Sequence, residues 1–426
     1  MRKILLSGHW LLLLLPLFLR AQTEADSIWL LKPDRVFDGT NLHTGWQVLV
    51  QGRDILKAGP HVQLPAGGRE INLPGCTLLP GLIEGHSHLF LHPYNEVPWN
   101  DQVLKESRAE RTARATVHAW QTLRAGFTTV RDLGTEGAMY DDAGLKQAIA
   151  KGVVPGPHML VATRAIVATG SYGPKLGNAD FDLPKGAAEA DGVEGITREV
   201  RLQIGKGADV VKLYGDYRWG PGNTNAPTFT EEEIRTAVEV ASASGRYVAV
   251  HANTAEAMRR AALAGVRTIE HGDEGTLEVF ELMKTRGVAY CPTIAAVESL
   301  EQYRGWRKGR DPDPLRVQQK KKSFALALQS GVIICMGGDV GVFPHGDNAL
   351  EMECMVEYGM KPLDVLRSAT SVNADVFGIG GQFGRIETGY VADLLVVKGD
   401  PASRISDVRQ VIRVMKEGSW VFGARN

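Results

Sequence analysis

Residues 79–90 read LPGLIEGHSHLF, an apolar run that leads into two histidines separated by one serine. On an extended strand, side chains two positions apart point to the same face. His86 and His88 would therefore lie side by side at the end of a strand that begins near Leu82. Because two imidazoles on one face can bind one metal ion, the stretch predicts a metal site if other segments supply further ligands.

Seven more apolar runs follow, and amphipathic segments lie between several of them. The runs are FTTVRDLG (127–134), HMLVATRAIV (158–167), ADVVKLYG (208–215), YVAVHAN (247–253), RTIEHG (267–272), VAYCPT (288–293) and VIICMGGD (332–339). One intervening helix is predicted over 230–245, since Thr230 and Glu233 have the spacing of a capping box. Eight strands alternating with helices are typical of a parallel barrel. The sequence thus predicts an α/β fold with a TIM-like (β/α)8 barrel over residues 80–379.

Short strand-like runs broken by turns occupy both ends of the chain. The first end contains WQVLV (46–50) and CTLLP (76–80), and the last contains YVADLLVV (390–397), QVIRVMKEG (410–418) and SWVFG (419–423). We therefore expect residues 22–79 and 380–426 to form one small domain of the β-sandwich type, built from both ends of the chain.

Residues 1–21 have the pattern of an export signal. A basic start precedes the apolar run WLLLLLPLFL (10–19), and Ala21 offers a small residue for cleavage. The run is shorter than the roughly 20 apolar residues that cross a bilayer. We expect a periplasmic or secreted protein without a stable membrane span after cleavage; a retained membrane anchor is the alternative.

Charge and cysteine usage exclude some classes of protein. The formal net charge of −1 provides no basic field for nucleic acid. The basic run RVQQKKK (316–322) is predicted to be the solvated face of a helix. The four cysteines show no metal-binding spacing, and we expect buried thiols, although export would permit a disulfide whose pairing the sequence does not assign. They are Cys76, Cys291, Cys335 and Cys354.

Polar residues recur near the ends of the predicted strands, where the catalytic residues of such barrels lie. Each has an ordinary structural alternative, such as a rim histidine or an aspartate that caps a helix. A lysine is cationic at neutral pH and cannot bind a metal. If carbon dioxide converts it to a carbamate, its two oxygens can bridge two ions. The set predicts two divalent ions, with zinc the best match. Its members are His86, His88, Lys212, His251, His271 and Asp339.

This constellation resembles the amidohydrolase superfamily, in its binuclear-metal branch. Within that branch the chain is most similar to the imidazolonepropionase-like group, which includes enzymes that cleave Xaa-Pro dipeptides. The resemblance spans residues 28–426. It rests on LPGLIEGHSHLF (79–90), VVKLYGD (210–216), VAVHAN (248–253), TIEHGD (268–273) and MGGDVG (336–341).

The resemblance implies a role for each member of the set. One ion would be bound by His86, His88 and Asp339, and the other by His251 and His271. Carboxylated Lys212 and a hydroxide would bridge the two ions. Asp339 would take the proton of the attacking water and deliver it to the leaving nitrogen.

The implied reaction is hydrolysis of a carbon–nitrogen bond in a small molecule, such as a dipeptide, an N-acyl amino acid or a cyclic amide. Two alternatives remain open. A lactone or phosphotriester hydrolase would use the same site, and a secreted binding protein would use none of its chemistry. Self-association into a homo-oligomer is also open, because the sequence does not address it.

Five residues near the predicted strand ends are candidate substrate contacts. Tyr172 in ATGSYG stands where many relatives carry the histidine of TGGHG, and Asn253 replaces an aromatic residue or histidine. Tyr214 follows Lys212 by two positions. A long loop is expected to begin at YRWGPG (217–222), where the guanidinium of Arg218 suits a carboxylate. The fifth candidate is His345 in FPHGDN (343–348), which could instead lie behind the metal ligands.

Overall fold

The structure is a computed structural model that describes residues 27–174 and 181–423. The predicted export signal (1–21) and the first residues of the predicted small domain lie outside these ranges. Among the helices of the described ranges, none has both the length and the apolar character needed to cross a membrane.

Nineteen strands and twelve α-helices make up the described ranges. The strands are β1 (Ile28–Phe37), β2 (Leu42–Thr44), β3 (Gln47–Gln51), β4 (Asp54–Gly59), β5 (Arg69–Pro80), β6 (Leu82–Ser87), β7 (Phe127–Asp132), β8 (His158–Val161), β9 (Ile166–Val167), β10 (Ala188–Glu189), β11 (Val210–Tyr214), β12 (Asp216–Arg218), β13 (Asn225–Pro227), β14 (Tyr247–Ala252), β15 (Thr268–His271), β16 (Ala289–Cys291), β17 (Leu394–Lys398), β18 (Val411–Lys416) and β19 (Ser419–Phe422). The helices are α1 (Trp99–Lys105), α2 (Arg108–Arg124), α3 (Asp141–Ala150), α4 (Gly192–Gly205), α5 (Glu231–Ser242), α6 (Ala255–Ala264), α7 (Leu277–Arg286), α8 (Ile294–Tyr303), α9 (Leu315–Ser330), α10 (Ala349–Glu357), α11 (Pro362–Arg367) and α12 (Asn373–Val376).

The largest sheet joins strands from both ends of the chain. Its order is β19-β18-β17-β5-β1-β3-β4, and β2 pairs with the end of β1. Strands β1 and β5 run parallel, whereas β17 pairs with β5 in the antiparallel sense. The tail of the chain is thus hydrogen-bonded to its beginning, and the predicted two-layer sandwich stays a prediction.

Parallel strands carry the residues predicted for the site. One parallel sheet has the order β6-β7-β8, and the other has the order β10-β9-β11-β14-β15-β16. The segment after α9 lies between them, because Ile334 bridges to Tyr290 of β16 and Val340 bridges to Ser87 of β6. The mixture of parallel strands and helices confirms the predicted α/β class.

Two of the predicted strands are wrong as continuous elements. Segment 332–339 makes only an isolated bridge, because the amide of Gly338 donates to the Glu84 side chain and Asp339 has a left-handed backbone with φ 63°. The run 158–167 splits into β8 and β9 at Thr163, where φ is 61°. Such backbone angles are uncommon outside glycine and interrupt a strand.

The helix start and the hairpin near the site are defined by local hydrogen bonds. Thr230 and Glu233 form the predicted capping box of α5. That helix ends at Ser242, whereas we expected it to end at Gly245. Residues 217–222 do not begin a long loop, since β12 and β13 pair as a short antiparallel hairpin.

The basic run 316–322 is not simply a solvated helix face. Lys320 of α9 is completely buried, and its Nζ atom donates to the carbonyl oxygens of His271 (2.6 Å) and Pro292 (2.7 Å). Its charge is paired with Asp273 at 2.5 Å, and Arg316 pairs with the same carboxylate. The prediction failed because α9 packs this face against the ends of β15 and β16. All four cysteines are buried and free, as predicted.

Candidate metal centre and active site

Strand alternation places Lys212 on the face opposite the helices. Val211 and Leu213 of β11 belong to the core cluster that includes residues of α5 and α6. Val210 belongs to a separate cluster with Leu133, Ala162 and Ala249. Because alternate residues of a strand share a face, Lys212 lies on the Val210 side, away from the helices. The same reasoning places His251 on that side of β14, next to Ala249.

Four imidazole rings meet where β6, β14 and β15 end. The ring centroids of His86 and His88 are 5.3 Å apart, those of His86 and His271 are 5.0 Å apart, and those of His251 and His271 are 4.3 Å apart. Strict alternation would direct His271 toward the helices with Ile269. Instead, His271 has a left-handed backbone with φ 72°, and its ring lies beside those of His86 and His251.

Asp339 completes a group that can hold one ion. Its Oδ1 atom lies 3.6 Å from Nε2 of His86 and 3.3 Å from Nε2 of His88. One ligand atom from each of the three residues lies within 4.8 Å of the other two. The structure therefore brings together the three residues predicted for one ion, and places the His251–His271 pair beside them.

Each ring has one nitrogen held by another protein group, which leaves the second nitrogen for a metal. Such partners fix the orientation of metal-binding histidines. The pairs are His86 Nδ1 with Glu270 Oε2 (2.9 Å), His88 Nδ1 with the Gly134 carbonyl (2.8 Å), His271 Nδ1 with Thr293 Oγ1 (2.8 Å) and His251 Nε2 with Asn253 Nδ2 (2.9 Å).

The Asn253 amide is best assigned in the opposite orientation. Its Oδ1 atom is buried and has no hydrogen-bond partner among the described residues. Turning the amide by half a rotation lets Oδ1 accept from Nε2–H of His251, and the lone pair of Nδ1 is then available to a metal. Asn253 thus orients a predicted ligand in addition to lining the cavity.

Glu270 and Arg131 form a buried ion pair behind His86. The Arg131 Nη2 atom lies 2.9 Å from Oε1 of Glu270, and both side chains are fully buried. The hydroxyl of Thr268 donates to the same carboxylate. Burial acts to raise the pKa of Glu270, but Arg131, His86 and Lys212 together outweigh it and hold the pKa well below its ordinary value. Neither residue was predicted from the sequence to belong to the site, although each is a charged residue within an apolar run.

A second group that combines His86, Glu270 and Cys291 is also compact enough to hold an ion. The chemistry of its donors disfavours that role. Both oxygens of Glu270 are engaged by Arg131, Thr268 and His86. Burial raises the pKa of the Cys291 thiol well above its ordinary value, whereas metal binding needs the thiolate.

The charges at the centre match a site that is built for cations. Burial lowers the pKa of His86 to about 4 and holds those of His251 and His271 well below their ordinary values, so these rings are neutral. Burial also acts to lower the pKa of His88, but Asp339 outweighs it and raises that pKa to about 9. In this arrangement a proton on His88 balances the Asp339 carboxylate. A bound cation would take the place of that proton.

The rings open into a cavity of about 530 Å³, which is within the size range of small-molecule sites. Four of the five predicted substrate contacts line it, namely Tyr172, Tyr214, Arg218 and Asn253. The fifth, His345, does not. Its ring stacks on His118 with centroids 4.3 Å apart, and its Nε2 atom lies 3.0 Å from the Leu91 carbonyl.

Glu136 also lines the cavity, although it was not predicted from the sequence. It is buried, and its carboxylate accepts hydrogen bonds from Tyr172 Oη, from Tyr214 Oη at 3.1 Å and from Trp99 Nε1 at 3.0 Å. The one sequence signal was an acidic residue just after the run 127–134, on the loop that follows a predicted strand. Asp273 and Arg316 also line the cavity. They were not predicted from the sequence because their ion pair joins two distant segments, the end of β15 and α9.

The sequence profile of the amidohydrolase family matches residues 77–421. The chain belongs to the amidohydrolase family. The ochratoxinase of Aspergillus niger is 30% identical to this amidohydrolase over 380 residues, which cover 82% of this chain and 76% of that protein.

Two solved structures share the fold and a similar level of identity. A Xaa-Pro dipeptidase with bound methionine in its active site superposes with a TM-score of 0.81 at 32% identity, covering 92% of this chain and 99% of the other. A prolidase complexed with N-methylphosphonate-L-proline gives a TM-score of 0.81 at 29% identity, covering 93% and 99%. Family membership confirms the predicted resemblance and the prediction of a hydrolase for carbon–nitrogen bonds. It argues against the binding-protein alternative.

Proposed function

We propose that this amidohydrolase uses two divalent metal ions to hydrolyse an amide bond in a small molecule. The observation that carries the proposal is the arrangement of His86, His88, His251 and His271, in which each ring has one anchored nitrogen and one nitrogen free for a metal. His86 and His88 would hold one ion with Asp339, and His251 and His271 would hold the other.

Lys212 fits the role of the bridging ligand. Its Nζ atom is buried and has no hydrogen-bond partner among the described residues, which is costly for an ammonium group. Burial lowers its pKa to about 8. A fraction of the amine is therefore neutral near physiological pH and able to react with carbon dioxide. Conversion to a carbamate would give this position the oxygen ligands that its place in the site requires.

Asp339 is the proposed proton carrier. Its carboxylate lines the cavity, where it can accept a proton from an attacking water and release it to the leaving nitrogen. Metal ions, zinc being the best match to these donors, would polarise the scissile carbonyl and make water more acidic. Asn253, Thr293 and Glu270 keep the rings of their histidines oriented throughout the reaction.

The proposed substrates are dipeptides, N-acyl amino acids or related amides. The dipeptidase, prolidase and ochratoxinase names of the relatives support this class. Arg218 is exposed at the cavity and makes no ion pair among the described residues, so we propose it as a contact for a substrate carboxylate. Tyr172 and Tyr214 would contact the rest of the substrate. Lactone or phosphotriester hydrolysis is the alternative.

Three wider proposals accompany this function. The two parallel sheets and the 332–340 segment form one closed (β/α)8 barrel, a proposal supported by the bridges at Ile334 and Val340. Residues 22–79 and 380–426 form a small β-sandwich.

The chain is exported to the periplasm or secreted after removal of residues 1–21, so amino-terminal sequencing of the mature protein should begin at Gln22. Gel filtration would decide whether it forms a homo-oligomer.

A substrate panel tests the function. Enzyme loaded with zinc and bicarbonate should cleave at least one amide among Xaa-Pro dipeptides and N-acyl amino acids, and a chelator should abolish that activity. Turnover of lactones or phosphotriesters with no cleavage of any amide would favour the alternative. Lys212→Ala should lose activity and regain part of it with short-chain carboxylic acids, whereas exposed Lys151→Ala should match the wild type. Full activity of Lys212→Ala without added acid would contradict the bridging role.

A further inference from the structure

The carboxylate of Glu136 is buried, and the described residues provide no ion pair for it. Only 2% of its surface is exposed. Its hydrogen-bond donors are neutral, namely two tyrosine hydroxyls and the indole of Trp99. Among the described residues, no lysine, arginine or histidine side chain forms an ion pair with it. A buried charge is normally paired, so the unpaired carboxylate needs an explanation.

Arg111 is close enough to interact electrostatically with Glu136, but its hydrogen bonds go to main-chain groups. The guanidinium of Arg111 donates to the main-chain carbonyls of Phe90, Thr135 and Glu136 itself. These bonds fix the loop and hold Glu136 in a left-handed backbone conformation with φ 48°. Strained residues of this kind cluster at functional sites. Arg111 thus positions the carboxylate in the cavity but does not form a salt bridge with it.

Three aromatic side chains donate a hydroxyl or indole N–H group to the Glu136 carboxylate, and a fourth ring, that of Tyr217, packs on two of them. The centroid of Tyr172 lies 5.1 Å from that of Trp99, 4.7 Å from that of Tyr214 and 4.8 Å from that of Tyr217. All four rings line the same cavity as Glu136. The faces of aromatic rings attract cations, and cages of such rings bind ammonium groups. We call these four residues the aromatic cluster.

The aromatic cluster also connects Glu136 to the proposed metal centre. The ring of Tyr214 stacks on that of His251 with centroids 4.6 Å apart, while its hydroxyl donates to Glu136. The carboxylate therefore lies one tyrosine side chain away from a proposed metal ligand. A group bound there would be close to the scissile bond and part of the same small substrate.

We infer that Glu136 and the aromatic cluster bind a positively charged ammonium group of the substrate. This inference rests on the proposed amide hydrolysis and adds a charge requirement to it. The carboxylate supplies the counter-charge and a remaining acceptor position, and the rings shield the pair from water. Amides with a free amino group close to the scissile bond are then preferred over neutral ones of the same shape.

Two matched substrate pairs test the inference. Ala-Pro is compared with N-acetyl-Ala-Pro, which lacks the α-ammonium group. N-acetyl-Lys-Pro is compared with N-acetyl-norleucyl-Pro, which lacks only the side-chain ammonium group. In at least one pair, kcat/KM should favour the cationic member by about tenfold or more, as expected for a charge-assisted hydrogen bond.

The matched variants are Glu136→Gln and Glu274→Gln. Glu136→Gln keeps a polar group for the tyrosines and removes the charge, so the ratio of kcat/KM between the cationic and the neutral member of each pair should fall to about one. Glu274 is exposed at the rim of the cavity, and Glu274→Gln should keep the preference. Amide cleavage with no charge preference, or a preference that Glu136→Gln retains, would overturn the inference and leave the proposed function intact.

A binding measurement separates the inference from the proposed function. The melting temperature of the wild type should rise in butylammonium chloride relative to the same concentration of potassium chloride, because a ligand of the native state stabilises it. Glu136→Gln should show no such rise. A rise together with no amide cleavage would keep the ammonium site and reject the amide substrates. Equal melting temperatures in the two salts for the wild type would count against the site.

Discussion

The Nδ1 atom of His86 lies 2.9 Å from the Oε2 atom of Glu270, and both side chains are buried. The other oxygen of Glu270 is paired with Arg131. One carboxylate thus orients a proposed metal ligand and also neutralises a buried arginine. These two tasks connect the stability of the protein to the geometry of its proposed metal centre.

Replacing Glu270 should destabilise the fold. Glu270→Ala leaves the Arg131 guanidinium buried and unpaired, and the expected loss is about 3–5 kcal/mol in the free energy of unfolding, measured with denaturant. Glu256→Ala is the control, because Glu256 forms exposed ion pairs with Arg259 and Arg260 and its removal should cost about 1 kcal/mol or less. Similar losses for the two variants would contradict the proposed importance of the buried pair.

Thr293 should affect metal affinity more than stability. Its hydroxyl is the partner of Nδ1 of His271, and Thr293→Val removes that partner while keeping the shape. We expect zinc affinity, measured by competition with a chelator, to fall about 10–100-fold. Thr122→Val is the matched control, since the buried Thr122 hydroxyl has no hydrogen-bond partner among the described residues. Unchanged zinc affinity in Thr293→Val would show that this bond does not orient the ring.

Gly337 is required by close packing between the segment after α9 and β6. A β-carbon there would lie 2.5 Å from the Cys291 sulfur and 2.8 Å from the His86 amide nitrogen. Gly337→Ala should therefore destabilise the protein by about 1–3 kcal/mol. Gly144 of α3 has open space around it, and Gly144→Ala should stabilise the helix by about 0.5–1 kcal/mol. Thermal unfolding of the two variants should shift in opposite directions, and a shift in the same direction would contradict this prediction.

Glu351 should make stability depend on pH. Burial raises its pKa from an ordinary value of 4.5 to about 8, even though the amides of Ile294 and Ala295 donate to it. Between these values the native state holds a proton that the unfolded chain has released, so stability falls as pH rises. Glu351→Gln lacks this proton. Its free energy of unfolding, relative to the wild type, should increase from pH 5 to pH 8, and a constant difference would refute the assignment.

Much of the proposed site could be predicted from the sequence because it depends on strand ends. His86, His251 and Asp339 follow apolar runs, and chain order alone places such residues at one rim of a parallel sheet. Lys212 was predictable because alternation within β11 fixes its face. Each of these residues, taken alone, has an ordinary structural explanation. Only the six residues together predict a metal site.

Other features depend on contacts between distant segments. Glu136 lies on a loop whose conformation is fixed by Arg111 of α2, and no local pattern reveals that bond. Lys320 appeared to belong to a solvated basic run, but its partner Asp273 lies on another segment. His345 was expected at the substrate and instead stacks on His118 of α2. Tertiary packing decided these three cases.

The proposed centre holds two metal ions and depends on Lys212. Elemental analysis of protein loaded with zinc and bicarbonate, after removal of unbound metal, tests it most directly. We expect about two ions per chain in the wild type and a clear loss of bound metal in Lys212→Ala, with Lys151→Ala unchanged. No retained metal in the wild type, or equal metal content in Lys212→Ala, would contradict it.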